Sequence, residues 1–596
     1  MYSNSYAYIK LSGHLSNKIK ISKGTEQGHP LSPDLFKIFL NDLSKKLDHE
    51  DCPELSKILI SHLLWADDLI LLSLSPETCR KQLDTLGQYC NEWGIEVNEL
   101  KTQVMVLGAN NRTNHLKFNL LRKELKIVDT YCYLGIVVHK SGEFRTAQNT
   151  LKTKAIRAFF GLKRNVIRSK LSFKALTTLF DSLIKPIVLY GAPVWTPTST
   201  INKSIIKYSK SSLTNFQKFI SKINRTPSEK VHLSFLKWAL GVHRKSSNVG
   251  VWGETGRYPL IYQSIRLTLN YYKRLLGIHK DTFIYAALKE QKRLKLPWFK
   301  NIEPLLKLDE LFHLNHVSAY RMQSLNNSKN PVIDEINNNN SNDKCDLLGI
   351  KKAIPLPSKK FRTHTIIKTL TQHFISCWNH EKSTSSKLTF YNSCKSKFAR
   401  ESYLDVTKGF SRRYSTTKLR ISSHDLEIEC GRYNNISREN RICKWCNSSM
   451  GLKLLEDENH VLHTCDLYAD LRAKLIKNLN NSPQVDTINN TIEPLSKLKL
   501  DNKSLQTHFM TLLSPYNSYN TNDITSNTFN WHHKVLSNHK LSINTPQTTN
   551  LLHRRSYIVN CICTFILRAL EKRNKYVKDM RERSEKLNTI VINFSI

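Results

Sequence analysis

The stretch His62-Leu-Leu-Trp-Ala-Asp-Asp-Leu-Ile-Leu-Leu-Ser73 sets two adjacent carboxylates between two short apolar runs. Leu63 and Trp65 before the acids, and Leu69, Leu71 and Leu72 after them, read as two half-buried strands joined by a turn at Ala66-Asp67-Asp68. Such a turn presents acid at a sheet edge. Aspartate also favours turns because its side chain hydrogen-bonds the local backbone, so these residues alone favour an ordinary hairpin tip over a metal site.

The preceding stretch bears on that choice. Gly24-Thr-Glu-Gln-Gly-His-Pro-Leu-Ser-Pro-Asp-Leu-Phe36 follows the pattern G-x-x-Q-G-x-x-L-S-P. In this order and at this spacing the two stretches resemble the polymerase core of reverse transcriptases from non-LTR retrotransposons. Trp65 stands where that family more often has Tyr or Phe, and His29 where Cys is common; neither is a metal ligand.

The resemblance implies RNA-directed DNA polymerase activity, with an RNA template, a DNA primer or target and deoxynucleoside triphosphates as partners. It also implies Mg²⁺ or Mn²⁺ held by Asp67 and Asp68. Successive strand residues face opposite ways, which gives Asp67 direct ligation and Asp68 support. Gly24, Gln27 and Gly28 fall in the family's substrate loop, and Lys101, in Asn98-x-x-Lys101-Thr102, takes the place of its proton donor or charge stabiliser at the leaving pyrophosphate. Tyr133-Leu134-Gly135-Ile136 resembles the primer-grip hairpin, and the resemblance runs over roughly residues 1–265 before resuming near the C-terminus. The family uses a further catalytic aspartate on an earlier strand, whereas Glu26 is the first acidic side chain here. The expectation is therefore an N-terminally truncated copy, inactive by itself.

Composition points the same way. Lys and Arg number 90 against 49 Asp and Glu, a net +41 spread along the whole chain, and a polyanion is the natural partner of such a surface. Glycine is scarce at 19 of 596 residues, which favours helix over tight turns. The expected class is α+β: a partial polymerase palm over 1–145, a helical thumb and connection over 146–320, then helical segments. No signal peptide or membrane-spanning stretch is legible, and 13 scattered cysteines suit reduced thiols, so the expected setting is intracellular, nucleus or cytoplasm, without membrane.

Local signals fill in the elements. Ser32, Pro33 and Asp34 predict a helix capped by Ser32, with Phe36, Phe39, Leu40, Leu43 and Leu47 on one face. Ser75-Pro76-Glu77 opens a second helix, whose stripe Cys79, Leu83, Leu86, Cys90 and Trp93 ends at Gly94. Beyond Leu151, Lys152, Lys154, Arg157, Lys163, Arg164 and Arg168 interleave with apolar residues, predicting a basic amphipathic helix that follows a nucleic-acid backbone.

An Asn-rich linker is expected at 321–349, a helical region over 350–479, and a loosely ordered polar stretch over 480–550. Within 430–475, Cys443, Cys446, His460 and Cys465 give C-x2-C-x13-H-x4-C, four ligands suited to tetrahedral Zn²⁺, with His463 an alternative to His460. The last segment, 551–596, reads as a solvated basic helix with charges paired at i,i+3 and i,i+4. Two functions remain in play: a reverse transcriptase, or a non-catalytic nucleic-acid-binding protein derived from one. A viral RNA-directed RNA polymerase is disfavoured, because Ala66 stands where such enzymes usually carry Gly before the two aspartates.

Overall fold

The computed structural model describes residues 6–21, 24, 28–47, 51–98, 100–108, 116–198, 216–308, 362–480 and 546–593. The expected linker at 321–349, most of the polar stretch and Gln27 lie outside the described residues. The fold mixes α and β and divides into two compact units, Met1–Ala147 with Tyr271–Ile302, and Gln148–Asn270 with Glu303–Ile596. The stretch read as one helical body, 146–320, thus contributes to both.

All the sheet structure described lies in the first unit, as antiparallel hairpins and one parallel pair, and no ladder among the described residues is wider than two strands. Most of these strands are two residues long, too short to assemble a broad sheet. The core is instead built on the helix Pro76–Trp93. Its N-cap Ser75 accepts from the Thr78 amide, and Gly94 closes it at φ +63°. Leu83, Leu86, Tyr89 and Cys90 pack with Leu43, Leu47, Phe118, Leu120 and Leu125. Trp93, the last residue of the expected stripe, is 46% exposed.

The Ser32 cap does not form. Leu31 already has helical angles, φ −83° and ψ −17°, so the helix Ser32–Phe39 starts without a side-chain cap. It buries none of its residues; the chain turns at Leu40, which packs partly buried against the core that Leu43 and Leu47 enter. From the far segment of this unit, Glu290 accepts from Ser56 Oγ at 2.9 Å and from Arg293 Nε.

The second unit is helical. Helix Asn248–Thr255 runs through its centre, with Trp252 fully buried. Gly253 is needed there, because a Cβ would meet the Tyr391 hydroxyl and lie 2.6 Å from the Trp378 ring. Beside it four charges are buried together: Arg420 Nε donates to Glu254 at 3.0 Å, its Nη2 lies 3.3 Å from Glu401, and Lys395 pairs with Glu401. The Tyr403 hydroxyl donates to Glu254 at 2.6 Å.

The terminal helix, Pro546–Asn593, is not merely solvated. Val559, Ile562, Cys563, Ile566 and Ala569 are buried, and the helix packs on Phe410–Arg420 and Ala469–Asn480. These residues recur at helical spacing, an apolar stripe masked by the surrounding lysines and arginines. No helix among the described residues is long and apolar enough to cross a membrane.

Candidate active site and metal centre

The carboxylate hairpin forms as the alternation predicts, with His62–Trp65 pairing with Asp68–Leu71 and Trp65 opposite Asp68. Asp68 therefore begins the second strand, and the turn proper is Ala66-Asp67. Ala66 takes φ +54°, a value that favours glycine, and both aspartates are exposed. The strands are less covered than expected: Leu63, Leu64 and Trp65 are 38%, 37% and 64% exposed, while Leu69 and Leu71 pack against the core.

A residue overlooked in the sequence holds the base of this hairpin. Gln82 is fully buried on the helix Pro76–Trp93, and its amide nitrogen donates to Ser61 O at 3.2 Å and Leu72 O at 3.3 Å, one carbonyl beyond each strand. His62 adds a second tie, with Ser44 Oγ 2.6 Å from Nε2 and Ser61 Oγ 2.8 Å from Nδ1. Gln82→Leu is expected to destabilise the unit by about 1–3 kcal/mol, the cost of stranding a buried acceptor. Amide exchange should accelerate across Asp68–Leu71; exchange unchanged from the parent would show that the hairpin is held by other contacts.

Tyr133 and Ile136 close a second hairpin, Thr130–Tyr133 with Ile136–His139, on Leu134 and Gly135 at φ +46° and +80°. Two left-handed residues make the type I′ turn that suits strand twist. The Tyr133 phenol is pushed up by burial and then by the charge of Asp68, so this hairpin and the carboxylate turn are neighbours. Gly24 and Gly28 are exposed at φ +85° and +91°. Lys101 is exposed too, on a turn where Asn98 accepts from its amide at 3.2 Å; no hydrogen bond or ion pair among the described residues joins it to Asp67 or Asp68.

On the helix Arg145–Asn165, Lys154, Arg157 and Arg164 are exposed on one face together with Phe160, which is 54% exposed. Lys152 is half-buried, and Lys163 lies over Phe159 and Phe160 at 4.8 and 5.5 Å. Arg168, just past the helix, is built into the packing: it donates to Trp238 O and lies 4.3 Å from the Phe410 ring centre.

The second site is the closest convergence of sequence-predicted residues. Cys443, Cys446, His460 and Cys465 are all buried, and their ligand atoms lie within 4.8 Å of one another. Cys465 Sγ is 4.0 Å from Cys443 Sγ and 3.8 Å from Cys446 Sγ, and Cys446 Sγ is 3.4 Å from His460 Nε2. Tetrahedral Zn–S bonds of about 2.3 Å place sulfurs about 3.8 Å apart, so the donor set fits. Cys443 precedes the helix Lys444–Met450, which presents Cys446 one turn on and ends at Gly451 with φ +65°. His460 opens a π turn that ends at Cys465.

The environment of His460 selects its ligating nitrogen. Thr464 Oγ1 donates to His460 O and lies 2.9 Å from Nδ1, so Nδ1 carries the proton and Nε2 keeps its lone pair toward the thiols. His463 lies outside the cluster, and burial draws its pKa down to about 4. The hydrogen bond between Cys443 and Cys465 holds the Cys443 thiol far below its ordinary range, while burial pushes Cys446 up and the pairing with Cys443 pushes Cys465 up. Three close thiolates repel one another, and a dication is what lets all of them ionise.

The terminal helix closes over this module. Arg573 donates from Nε and Nη2 to Glu456 at 3.2 and 3.0 Å and reaches Glu427 at 3.3 Å, and the Tyr576 hydroxyl is 2.8 Å from Ser448 Oγ. Glu427 also pairs with Lys444, next to the first cysteine.

Residues 2–138 match the family described as reverse transcriptase (RNA-dependent DNA polymerase). The chain is similar to a transposon-derived protein of Caenorhabditis elegans, at 30% identity over 24% of this chain and 52% of that protein. It is 24% identical to the RNA-directed DNA polymerase from the mobile element jockey of Drosophila melanogaster, over 34% of this chain and 23% of the relative. To the retrovirus-related Pol polyprotein from the type-1 retrotransposable element R2 of Popillia japonica it is 31% identical, over 24% of this chain and 25% of the relative. The chain thus spans about half of the first of these relatives and about a quarter of the other two.

Proposed function

We propose that this chain, whose N-terminal part is kin to the reverse transcriptases of non-LTR retrotransposons, is part of an RNA-directed DNA polymerase that carries its own nucleic-acid-binding helix and zinc module. The observation that carries the reading is the Ala66-Asp67-Asp68 turn, projecting exposed carboxylates beside the Tyr133 hairpin within the segment that matches the family. Asp67 at the tip ligates metal, and Asp68, at the strand start next to Tyr133, supports it. Mg²⁺ or Mn²⁺ bound there would activate the primer hydroxyl and balance the triphosphate. Gln82 and His62 keep the turn in register, Gly24, Gln27 and Gly28 line the nucleotide, and Lys101 meets the leaving pyrophosphate.

Two carboxylates on one turn supply only part of a two-metal shell, since neighbouring dications repel unless shared anions offset them. The test is primer extension on an RNA template, by this chain and by the chain joined to an upstream segment bearing a further strand aspartate. In whichever form extends, Asp67→Ala should lower extension at least about 100-fold, as removal of key electrostatic groups does. Extension that survives Asp67→Ala would sink the assignment. A joined protein that binds template and primer but never extends would favour the second reading, a non-catalytic binder, which the +41 charge alone could support.

Binding is assigned to the exposed face of Lys154, Arg157 and Arg164, with Lys152, Lys163 and Arg168 behind it. Each phosphate neutralised adds roughly 0.7–0.9 to the log–log salt slope. The triple change Lys154→Gln, Arg157→Gln, Arg164→Gln is therefore expected to flatten the slope by about 2–3 units. An anisotropy titration across salt concentrations reads it directly, and an unchanged slope would place the contacts elsewhere.

A further inference from the structure

In the second unit a cavity of about 350 Å³ opens where the start of the helix Leu260–Leu275 meets the helix Thr363–Thr384. Lys185, Arg257, Arg266 and Lys368 line it, with His364 at its wall. Asp181 neutralises part of this charge, pairing with Lys185 at 2.9 Å and accepting from both terminal nitrogens of Arg257. Arg266 and Lys368 are exposed and make no ion pair among the described residues. The cavity is of ligand size, and its positive charge is only partly offset, by Asp181.

One of these cations is fixed from behind by a buried chain. Arg257 Nε donates to His232 Nε2 at 3.3 Å, so the His232 proton is on Nδ1, 3.0 Å from Glu229 Oε1. Glu229 is fully buried and also accepts from Trp252 Nε1 at 2.8 Å and the Leu260 amide at 2.7 Å. The guanidinium is thereby held in one orientation; with Nε on His232 and its parallel pair of terminal N–H groups on Asp181, the two N–H groups that remain point apart, and each can donate singly to a ligand oxygen. Tyr258 and Leu260 supply apolar wall beside the cations.

We propose that this cavity binds a phosphate monoester carried by a nucleoside, either the phosphorylated end of a nucleic-acid strand or a free mononucleotide. The charge selects a dianion over a neutral group, and the size suits one nucleotide. A phosphodiester inside a strand carries one charge less and must enter and leave, which a pocket of this size does not favour. Every residue involved lies outside 2–138, so the assignment stands independently of the carboxylate hairpin.

The test uses the full chain and one short labelled DNA sequence prepared with hydroxyl ends, a 5′-phosphate or a 3′-phosphate, with adenosine monophosphate as unlabelled competitor. A phosphorylated end is expected to bind about 10-fold more tightly than hydroxyl ends, or about 1.4 kcal/mol. Arg266→Gln with Lys368→Gln should erase that preference, whereas Lys578→Gln with Arg581→Gln, which removes the same charge from the terminal helix, should leave it. Competition by the mononucleotide identifies a free nucleotide as a ligand; its failure restricts the site to strand ends. Equal affinity for all ends, or a preference that survives the Arg266 and Lys368 changes, overturns the proposal. So does a preference lost equally in the terminal-helix control.

Discussion

On the reading of the Cys443, Cys446, His460 and Cys465 cluster as a zinc site, Cys446→Ser and His460→Ala are each expected to release essentially all zinc and to unfold the module from Glu427 to Tyr468. The reason lies in what fills its interior. Cys443, Cys446, His460 and Cys465 are themselves buried centre residues, and the regular backbone pairing around them is slight, chiefly the Ile442–Leu455 bridge and the Cys443 amide to Leu454 O at 2.7 Å. Zinc in such small sites contributes on the order of 10–16 kcal/mol of binding free energy, far more than this packing could replace. Metal analysis with hydrogen exchange over the module reads both effects, and chelation of the parent protein should reproduce them. A variant that retains a full equivalent of zinc with parental protection would show that the ligand set is wrong.

The second large effect is expected at the buried charges of the helical unit. Arg420→Leu leaves Glu254 and Glu401 together, both essentially inaccessible, with Lys395 as the one remaining cation of the cluster. Burial raises the Glu401 pKa despite its cationic neighbours, a sign of how much those neighbours must offset. Breaking a buried pair from one side costs about 3–5 kcal/mol, because the orphaned charge cannot return to water. Adding Glu254→Gln should recover part of the loss by removing one of the stranded carboxylates. Urea unfolding of the parent, single and double variants decides it: a loss under about 1 kcal/mol for Arg420→Leu would mean that the cluster is relaxed by solvent.

What the sequence disclosed follows the range of each signal. The helix Pro76–Trp93 announces both its ends because Ser75, Pro76 and Gly94 act on their immediate backbone. The two hairpins and the convergence of Cys443, Cys446, His460 and Cys465 are likewise carried by alternation, turn residues and spacing. Ser32 misleads for a reason its own identity cannot show: Leu31 is already helical. Gln82 is illegible because its partners lie 21 and 10 residues away and a glutamine inside an apolar stripe has no distinct pattern. The Arg257–His232–Glu229 chain and the Arg420 cluster are tertiary in the same sense, and composition reads their members as surface charge. The terminal helix was obscured by its own basicity, which describes one face and says nothing of the other.

Docking of that helix ties the zinc module to the order of synthesis. Residues 427–468 leave the ribosome well before Val559 and Arg573 do, and domains begin folding as they emerge. During that interval the thiols can already take up metal, while Glu427 and Glu456 lack Arg573 and the groove on Phe410–Arg420 stays bare. A chain lacking the helix leaves an apolar surface exposed beside an unbalanced acidic pair. Completion of the terminal helix is thus what supplies Arg573 to Glu427 and Glu456 and covers the apolar face of Phe410–Arg420.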